Sequence, residues 1–256
     1  MAFSLLCLHV DAFAPTPDVL DVDRVCNVDL ACVHEITVGM AHAVAAYFAA
    51  NNRMTLFAPY GPESTDHLGL LLVWDPAVFV LGNAAVGTPA EPARQGTTNT
   101  YQQAAFALRE HPSRTFVLGH YRMPAVSAVH DTQGAIVDAL AREHHPDVLC
   151  LSGIQDTADV HAALVKHGML CATDCLAAFG DVDPTECIVG MKGAVAKDCT
   201  QTAKSFACVL MLTDVPIKRL VSDADAGMAD PADVVDPADV AVPVVVQSRT
   251  PWPFSS

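Results

Sequence analysis

Short apolar runs bounded by turn-forming residues recur along this chain, and that pattern predicts β-strands. Residues 3–10 and 28–36 are two such runs, each suited to a buried strand. The other predicted strands cover residues 54–58, 68–74, 77–81, 101–109, 115–118, 148–151, 206–212, 215–220 and 242–246. Residues 101–109 fit a helix or a strand equally well, and the strand that follows them favours the strand.

Apolar residues at helical spacing predict helices over residues 37–50, 132–143 and about 158–166. Residues 18–28 alternate acids with valines, which is typical of a solvated turn or a short helix. The predicted order of elements therefore mixes strands with a few helices and indicates an α/β fold.

Turn formers join several of the predicted strands at hairpin-like spacing. Pro59-Tyr60-Gly61-Pro62 and Asp75-Pro76 separate three runs, and residues 111–113 separate two more. We therefore expect antiparallel pairing in these parts of the sheet. Residues 83–98 are predicted to be a surface loop, and residues 168–200 are rich in loop formers.

Residues 144–164 have the order strand, turn and helix that often builds active sites. The strand ends at Ser152-Gly153, and Asp156-Thr157 is a helix-start signal. Acids are expected at such a strand tip, but Gly153 and Gln155 stand there instead. The strand at residues 28–36 does deliver an acid, Glu35, to the start of a helix.

The composition is that of a globular protein, because 52% of the 256 residues are hydrophobic and 17% are charged. Length alone fits one large domain or two small ones. Residues 223–240 form an acidic, low-complexity insertion in which Asp-Pro-Ala-Asp-Val begins at Asp230 and again at Asp236. Such a segment cannot bury a core.

Acidic residues outnumber basic ones 29 to 14, for a formal net charge of -15. Nucleic acid is therefore a disfavoured partner. The nine cysteines lack metal-ligand spacing and are predicted to be buried free thiols, which favours an intracellular reducing compartment, most simply the cytoplasm. The sequence predicts no membrane span, and neither a signal peptide nor an organellar presequence is recognisable.

Several of these segments resemble the endonuclease/exonuclease/phosphatase (DNase I-like) superfamily, and within it the deadenylases of the nocturnin type. The resemblance rests on the runs that begin at Leu5, Val28, Gly69 and Phe116, on Gln133, and on residues 144–164. It implies a single domain over residues 1–256. It also implies two mostly antiparallel β-sheets packed face to face and flanked by helices.

The resemblance assigns a metal or phosphate role to the residue that ends each of these segments. Glu35 matches the metal-binding acid of the family. His9 stands where the family has Asn, and Arg122 stands where it has a phosphate-contacting His. His120, two residues earlier, would need a register shift to take that role.

The family run Gly-Asp-Phe-Asn-Asp matches residues 152–156, so Gly153 replaces the key Asp and Gln155 replaces the Asn. Residues 252–256 end the chain without the family's Asp-His pair. Hydrolysis of a phosphodiester needs a carboxylate-held metal, an oriented water and a charge-balancing group. The catalytic positions His9, Arg122, Gly153 and Gln155 are therefore degenerate.

Three functions remain open. The favoured one is an inactive structural or interaction subunit of a larger protein assembly, with no cofactor expected. The first alternative is a Mg²⁺-dependent phosphodiesterase or phosphatase that has rebuilt its site from Glu35, Asp156 and histidines such as His120. The second is a module that binds a nucleotide or phospho-ligand without cleaving it. Glu35 alone is a weak metal ligand, and Arg122 is expected to pair with a neighbouring acid.

Overall fold

A computed structural model describes residues 2–10, 20–60, 68–87, 101–124, 132–172 and 186–212. Twelve strands form most of this part of the chain. They are β1 (Ala2–His9), β2 (Leu30–Thr37), β3 (Met54–Pro59), β4 (Leu68–Trp74), β5 (Phe79–Gly87), β6 (Tyr101–Leu108), β7 (His111–Arg122), β8 (Val148–Ser152), β9 (Leu170–Cys171), β10 (Cys187–Met191), β11 (Ala194–Thr202) and β12 (Ser205–Leu212). The helices are α1 (Val22–Cys26), α2 (Val38–Ala50), α3 (Gln133–His144) and α4 (Thr157–Lys166).

The strands form two six-stranded sheets. The first sheet has the order β11-β12-β1-β2-β4-β3, and the second has the order β5-β6-β7-β8-β10-β9. Only β1 with β2 and β7 with β8 pair in parallel among the described residues. The predicted fold class, two mostly antiparallel sheets packed face to face with flanking helices, is confirmed.

Alternating side chains divide the core into layers, because successive residues of a strand point to opposite faces. Phe3, Leu5 and Cys7 of β1 pack between the two sheets. Leu6 instead faces outward, in a cluster with Phe48 of α2. The helices α3 and α4 cover the outer face of the second sheet in the same way.

The cysteines behave as predicted from the sequence. The eight that lie in the described part of the chain are free thiols, and six of them are buried. Burial raises the pKa of Cys7 and of Cys32 well above the ordinary value, so both remain protonated, apolar-like core residues.

The prediction of a hairpin across Asp75-Pro76 is wrong. Both edges of β4 are already paired, one with β2 and one with β3, so the chain crosses to the second sheet and β5 pairs with β6 there. Phe79 then enters the space between the sheets, where its ring centroid lies 5.1 Å from that of Phe3.

Two predicted loops are also partly wrong. Residues 83–87 continue β5, since they pair with β6 beyond a bulge at Leu81/Asn83. Residues 168–200 contain β9, β10 and most of β11; β9 has only two residues, and β11 is an edge strand. The turn between β6 and β7 lies at residues 109–110 rather than at 111–113.

Several sequence predictions fall outside the described residues. They are the strands at 215–220 and 242–246, the acidic insertion at 223–240 and the tail at 252–256. Among the helices that the structure does describe, none is long and apolar enough to cross a membrane.

Candidate functional site

Four strand ends meet at one end of the sandwich and bring the predicted site residues together. The parallel pairs β1–β2 and β7–β8 each place two carboxyl ends side by side, with His9 opposite His34 and Arg122 opposite Ser152. We call this end of the molecule the mouth. His9, Glu35, Arg122 and Gly153 belong to it.

Glu35 occupies an unusual backbone position within β2, two residues before the strand ends. Its φ is 61°, in the left-handed region, and the β2–β4 register shifts between His34 and Ile36 at this point. A non-glycine residue costs about 1–2 kcal/mol in this conformation, so the surrounding contacts must hold it there. Only 6% of Glu35 is exposed.

Both carboxylate oxygens of Glu35 have basic partners. Oε1 forms an ion pair with Nε of Arg122, and Oε2 lies 2.8 Å from Nε2 of His9. The other nitrogen of His9, Nδ1, lies 2.8 Å from Oε2 of Glu186. Glu186, His9, Glu35 and Arg122 therefore form a chain of alternating acidic and basic groups, here called the ion chain. It joins the first sheet to the second across the mouth.

The ion chain tests one expectation and adds one residue. Arg122 does pair with a neighbouring acid, as predicted. Glu35 is neither solvated nor a helix cap, since Thr37 caps α2 through its bond from the amide of Met40. Glu186 was missed, because it precedes β10 in a stretch with no clear local pattern.

Gly153 follows β8 with a φ of 71°. A Cβ added at this position would lie 2.9 Å from the carbonyl oxygen of Met123, which is closer than Cβ atoms normally approach. The backbone conformation of Gly153 and the neighbouring carbonyl both oppose any larger residue.

Gln133, at the start of α3, holds the turn that follows Gly153. Its Oε1 accepts from the amides of Gln155 and Asp156 at 2.9 and 3.1 Å. Its Nε2 donates to the carbonyls of Pro124 and Gly153 at 3.1 and 2.9 Å. The side chain is buried, so these four bonds satisfy it and fix the path of the turn.

Asp156, a residual candidate acid, serves α4 instead of the ion chain. It is the N-cap of that helix, and its Oδ1 accepts from the amide of Asp159 at 3.0 Å. This use of an aspartate is typical of helix starts. The sequence signal at Asp156-Thr157 is confirmed as a helix start.

Two buried imidazoles lie on the inner face beneath the mouth. The rings of His34 and His120 are perpendicular, with centroids 4.2 Å apart. Nε2 of His34 lies 3.3 Å from Sγ of Cys7, and Nδ1 of His120 lies 3.0 Å from Oε1 of Gln102. His120 is therefore part of the core packing rather than of the ion chain.

Burial keeps both imidazoles neutral. It lowers the pKa of His120 to about 3. The pKa of His34 is lowered well below its ordinary value, first by burial and then by electrostatic interactions with His120, His9 and Arg122. Neither ring is suited to exchange protons near neutral pH.

The residues at the mouth do not fit a magnesium ion. Mg²⁺ requires several oxygen ligands in octahedral array, whereas both oxygens of Glu35 are engaged by Arg122 and His9. Across the described ranges, no three or more His, Cys, Asp or Glu residues are arranged to hold a metal.

Comparison with known proteins identifies the fold. No family model matches the sequence, and no curated protein matches it. Among solved structures, the catalytic domain of human nocturnin with a bound sulfate anion is similar, with a TM-score of 0.64 and 15% identity over 83% of this chain and 94% of that one.

Two further structures have the same architecture. An endonuclease/exonuclease/phosphatase from Bacteroides vulgatus has a TM-score of 0.60 and 10% identity over 83% of this chain and 99% of its own. A humanized D. rerio TDP2 has a TM-score of 0.59 and 8% identity over 82% and 99%. The chain therefore has the endonuclease/exonuclease/phosphatase (DNase I-like) fold, as the resemblance predicted.

Proposed function

We propose that this chain is a catalytically inactive protein of the endonuclease/exonuclease/phosphatase fold, which acts as a structural or interaction subunit of a larger protein assembly. Its partners are other polypeptides, because a net charge of -15 disfavours nucleic acid. The free buried thiols support a reducing compartment, and we propose the cytoplasm.

The observation that carries this proposal is the pairing of Glu35. In the family that the sequence resembles, the matching acid holds a divalent metal. Here the guanidinium of Arg122 lies against one oxygen and the imidazole of His9 against the other. An internal cation thus occupies the electrostatic position that a metal ion would take, and it satisfies the carboxylate without an external ligand.

The degenerate position 153 supports the same conclusion. Phosphodiester hydrolysis needs a group that orients the attacking water. Gly153 has no side chain, and a φ of 71° together with the carbonyl of Met123 opposes the return of one. The backbone conformation of the turn and the carbonyl of Met123 therefore both disfavour a carboxylate side chain at position 153.

Turnover and metal binding test the proposal directly. Purified protein is incubated with Mg²⁺ or Mn²⁺ and either bis(p-nitrophenyl) phosphate or an oligoadenylate, beside the Glu35→Gln variant. We expect no hydrolysis that distinguishes the two proteins, and no difference in Mn²⁺ binding measured by electron paramagnetic resonance. Metal-dependent hydrolysis that Glu35→Gln abolishes contradicts the proposal.

The assembly is tested separately. The tagged chain is purified from its source cells and sized by gel filtration with light scattering. We expect a stable complex with other polypeptides in fixed stoichiometry. A chain that elutes as a monomer at 27.0 kDa removes the support for a subunit role.

One observation favours the divergent phosphodiesterase as a second candidate. Glu186 brings a second carboxylate to His9, and its side chain is 47% exposed. A site rebuilt from Glu35 and Glu186 would require Arg122 to move away. Hydrolysis that is abolished by both Glu35→Gln and Glu186→Gln would establish this alternative.

A further inference from the structure

We infer that Cys7 and Cys150 form a site of reversible oxidation, at which hydrogen peroxide converts their two thiols into a disulfide that joins the two sheets. The site goes beyond the proposed function, because it operates whether or not the chain is a subunit of an assembly. Its substrate class is a small peroxide, and a cellular thiol would reduce the disulfide again.

Four cysteines from four strands meet between the two sheets. Cys7 of β1 and Cys32 of β2 lie opposite each other in the first sheet. Cys150 of β8 and Cys187 of β10 lie on neighbouring strands of the second sheet. All four are fully buried in the same core cluster. Within the part of the chain that the structure describes, they are not arranged to hold a metal ion.

Hydrogen bonds connect these four thiols across the core. Cys150 is bonded to both Cys7 and Cys32. Cys7 is also bonded to Cys187. Its Sγ donates to the carbonyl oxygen of Leu151 at 3.5 Å, directly beside Cys150. The sulfur atoms of Cys7 and Cys150 therefore face each other, as the two partners of a disulfide must.

The arrangement of the strands selects Cys7 as the partner of Cys150. β1 lies opposite β8 and β10, with Cα atoms of the facing strands within 8 Å, whereas β2 lies opposite β7. Sheets that pack face to face are usually about 10 Å apart, and the two Cα atoms of a disulfide are usually about 4.4–6.8 Å apart. The close approach of β1 to β8 therefore favours a bond from Cys150 to Cys7 over a bond to Cys32.

Cys150 is the nucleophile of this pair. Hydrogen bonds from Cys32 and Cys7 lower the pKa of Cys150, and they outweigh its burial, which acts in the opposite direction. Burial raises the pKa of Cys7, so this thiol keeps its proton. Because the thiolate is the reactive form of cysteine, Cys150 attacks the peroxide, and Cys7 reacts with the product.

Two displacements form the disulfide. The thiolate of Cys150 attacks one oxygen of hydrogen peroxide and breaks the O–O bond, which leaves a sulfenic acid on Cys150. The released hydroxide takes up the proton that the Cys150 thiol had given up and becomes water. The sulfur of Cys7 then attacks the sulfenic sulfur, and a second water leaves with the thiol proton of Cys7. Two thiols thus lose two electrons and two protons, and the peroxide is reduced to two waters.

Polar atoms next to the thiols favour a small polar oxidant. Cys7 precedes His9 of the mouth by two residues, and Nε2 of His34 lies 3.3 Å from Sγ of Cys7. Nδ1 of His34 and Nε2 of His120 are buried without a hydrogen-bond partner among the described residues. Buried polar atoms of this kind bind small polar molecules, most often water. Hydrogen peroxide is only slightly larger than water and forms the same bonds, whereas an organic hydroperoxide is too bulky.

Peptide mapping of the oxidised protein tests the pair. The full-length chain is reduced, treated with hydrogen peroxide under native conditions and quenched in denaturant with an alkylating reagent, and the linked peptides are identified by mass spectrometry. We expect the first disulfide to join Cys7 and Cys150, and dithiothreitol to reverse it. A first disulfide between any other pair, or no disulfide at all, overturns the inference.

Three alanine variants test the role of each thiol. Dimedone in the quench traps sulfenic acids. Cys150→Ala should abolish both the disulfide and the dimedone adduct, whereas Cys7→Ala should accumulate the adduct on Cys150. Cys208→Ala, the control, changes a buried cysteine of the same core and should form the disulfide as the wild type does. A dimedone adduct on Cys7 in the Cys150→Ala chain overturns the assignment of the nucleophile. Equal melting temperatures establish that the variants fold, and the wild-type map decides on its own if they do not.

The size of the oxidant tests the substrate class. Cumene hydroperoxide is compared with hydrogen peroxide on the folded chain and on the chain in urea. We expect both to oxidise the unfolded chain, and only hydrogen peroxide to form the disulfide in the folded one. Equal rates with the two oxidants on the folded chain would mean that the thiols react only after unfolding, which overturns a site for a small peroxide.

Discussion

Glu35 lies at a bulge two residues before the end of β2, and Gly153 directly follows β8; the two have similar φ values, but only Glu35 has a side chain. Their φ values are 61° and 71°. At Glu35 the carboxylate reaches Arg122 and His9, and these contacts offset the strain. At Gly153 the space that a Cβ needs is occupied by the carbonyl of Met123. The mouth therefore has an acid that joins the two sheets at one of these positions and no side chain at the other.

The largest effect is expected at Glu35. Glu35→Ala leaves Arg122 and His9 without their shared carboxylate in a largely buried site, and removing one partner of such a pair costs about 3–5 kcal/mol. Urea unfolding without added metal measures the loss. The double variant Glu35→Ala, Arg122→Met should recover part of it, because the guanidinium that loses Glu35 is removed as well. A loss below about 1 kcal/mol, typical of exposed pairs, would show that Glu35 is held by something other than the ion chain.

Acid should destabilise the protein through the two imidazoles beneath both strand ends. Unfolded histidines take up protons near pH 6.5, whereas burial lowers the pKa of His120 to about 3 and lowers that of His34 as well. Between about pH 3 and pH 6.5, the unfolded state therefore binds more protons than the folded state. Stability is fully present above pH 6.5 and falls as the pH drops toward 3, by up to about 1.4 kcal/mol per pH unit for each histidine.

Urea midpoints between pH 7.5 and 4.5 measure this dependence. Replacing the exposed His42 with Asn should leave the pH dependence of the unfolding free energy unchanged. His120→Asn should reduce that dependence by up to about 1.4 kcal/mol per pH unit, which corresponds to one proton. Equal slopes in all three proteins would place the acid sensitivity outside the layer beneath the mouth.

The scaffold of the mouth could be predicted from the sequence, but its contacts could not. Apolar runs are local signals, so the bounds of β4 agree with the prediction and Gly153 was placed just after a strand, whereas β2 continues past Glu35 to Thr37. The ion chain depends on side chains from both sheets that meet only after folding. Glu186 illustrates this limit, because the apolar run Cys187–Met191 after it gives no local sign that β10 pairs with β8 and β9, the placement that brings Glu186 to His9.

A comparison of Gly153 with Gly168 distinguishes the cost of a positive φ from the cost of a steric clash. Gly153 and Gly168 have φ values of 71° and 69°, but a Cβ at Gly168 would meet nothing within 4 Å. Gly168→Ala should therefore cost only the conformational penalty, about 1 kcal/mol. Gly153→Ala should cost about 1 kcal/mol more, because Met123 must shift. If thermal unfolding showed equal losses of stability for the two variants, the turn at Gly153 would be able to relax, and the position could accept an aspartate.

The smallest effect is expected at Asp156, the acid next to the Gly153 turn. Its carboxylate caps α4, so Asp156→Ala should cost about 1 kcal/mol. Thr132 caps α3 in the same way, since its Oγ1 accepts from the amide of Ala135 at 3.2 Å. Thr132→Ala should therefore lower the free energy of unfolding by a similar amount. Neither variant should differ from the wild type when Mn²⁺ binding is measured by electron paramagnetic resonance. If Asp156→Ala alone changed Mn²⁺ binding, the carboxylate of Asp156 would contribute to a metal site at the mouth, beside the turn at Gly153.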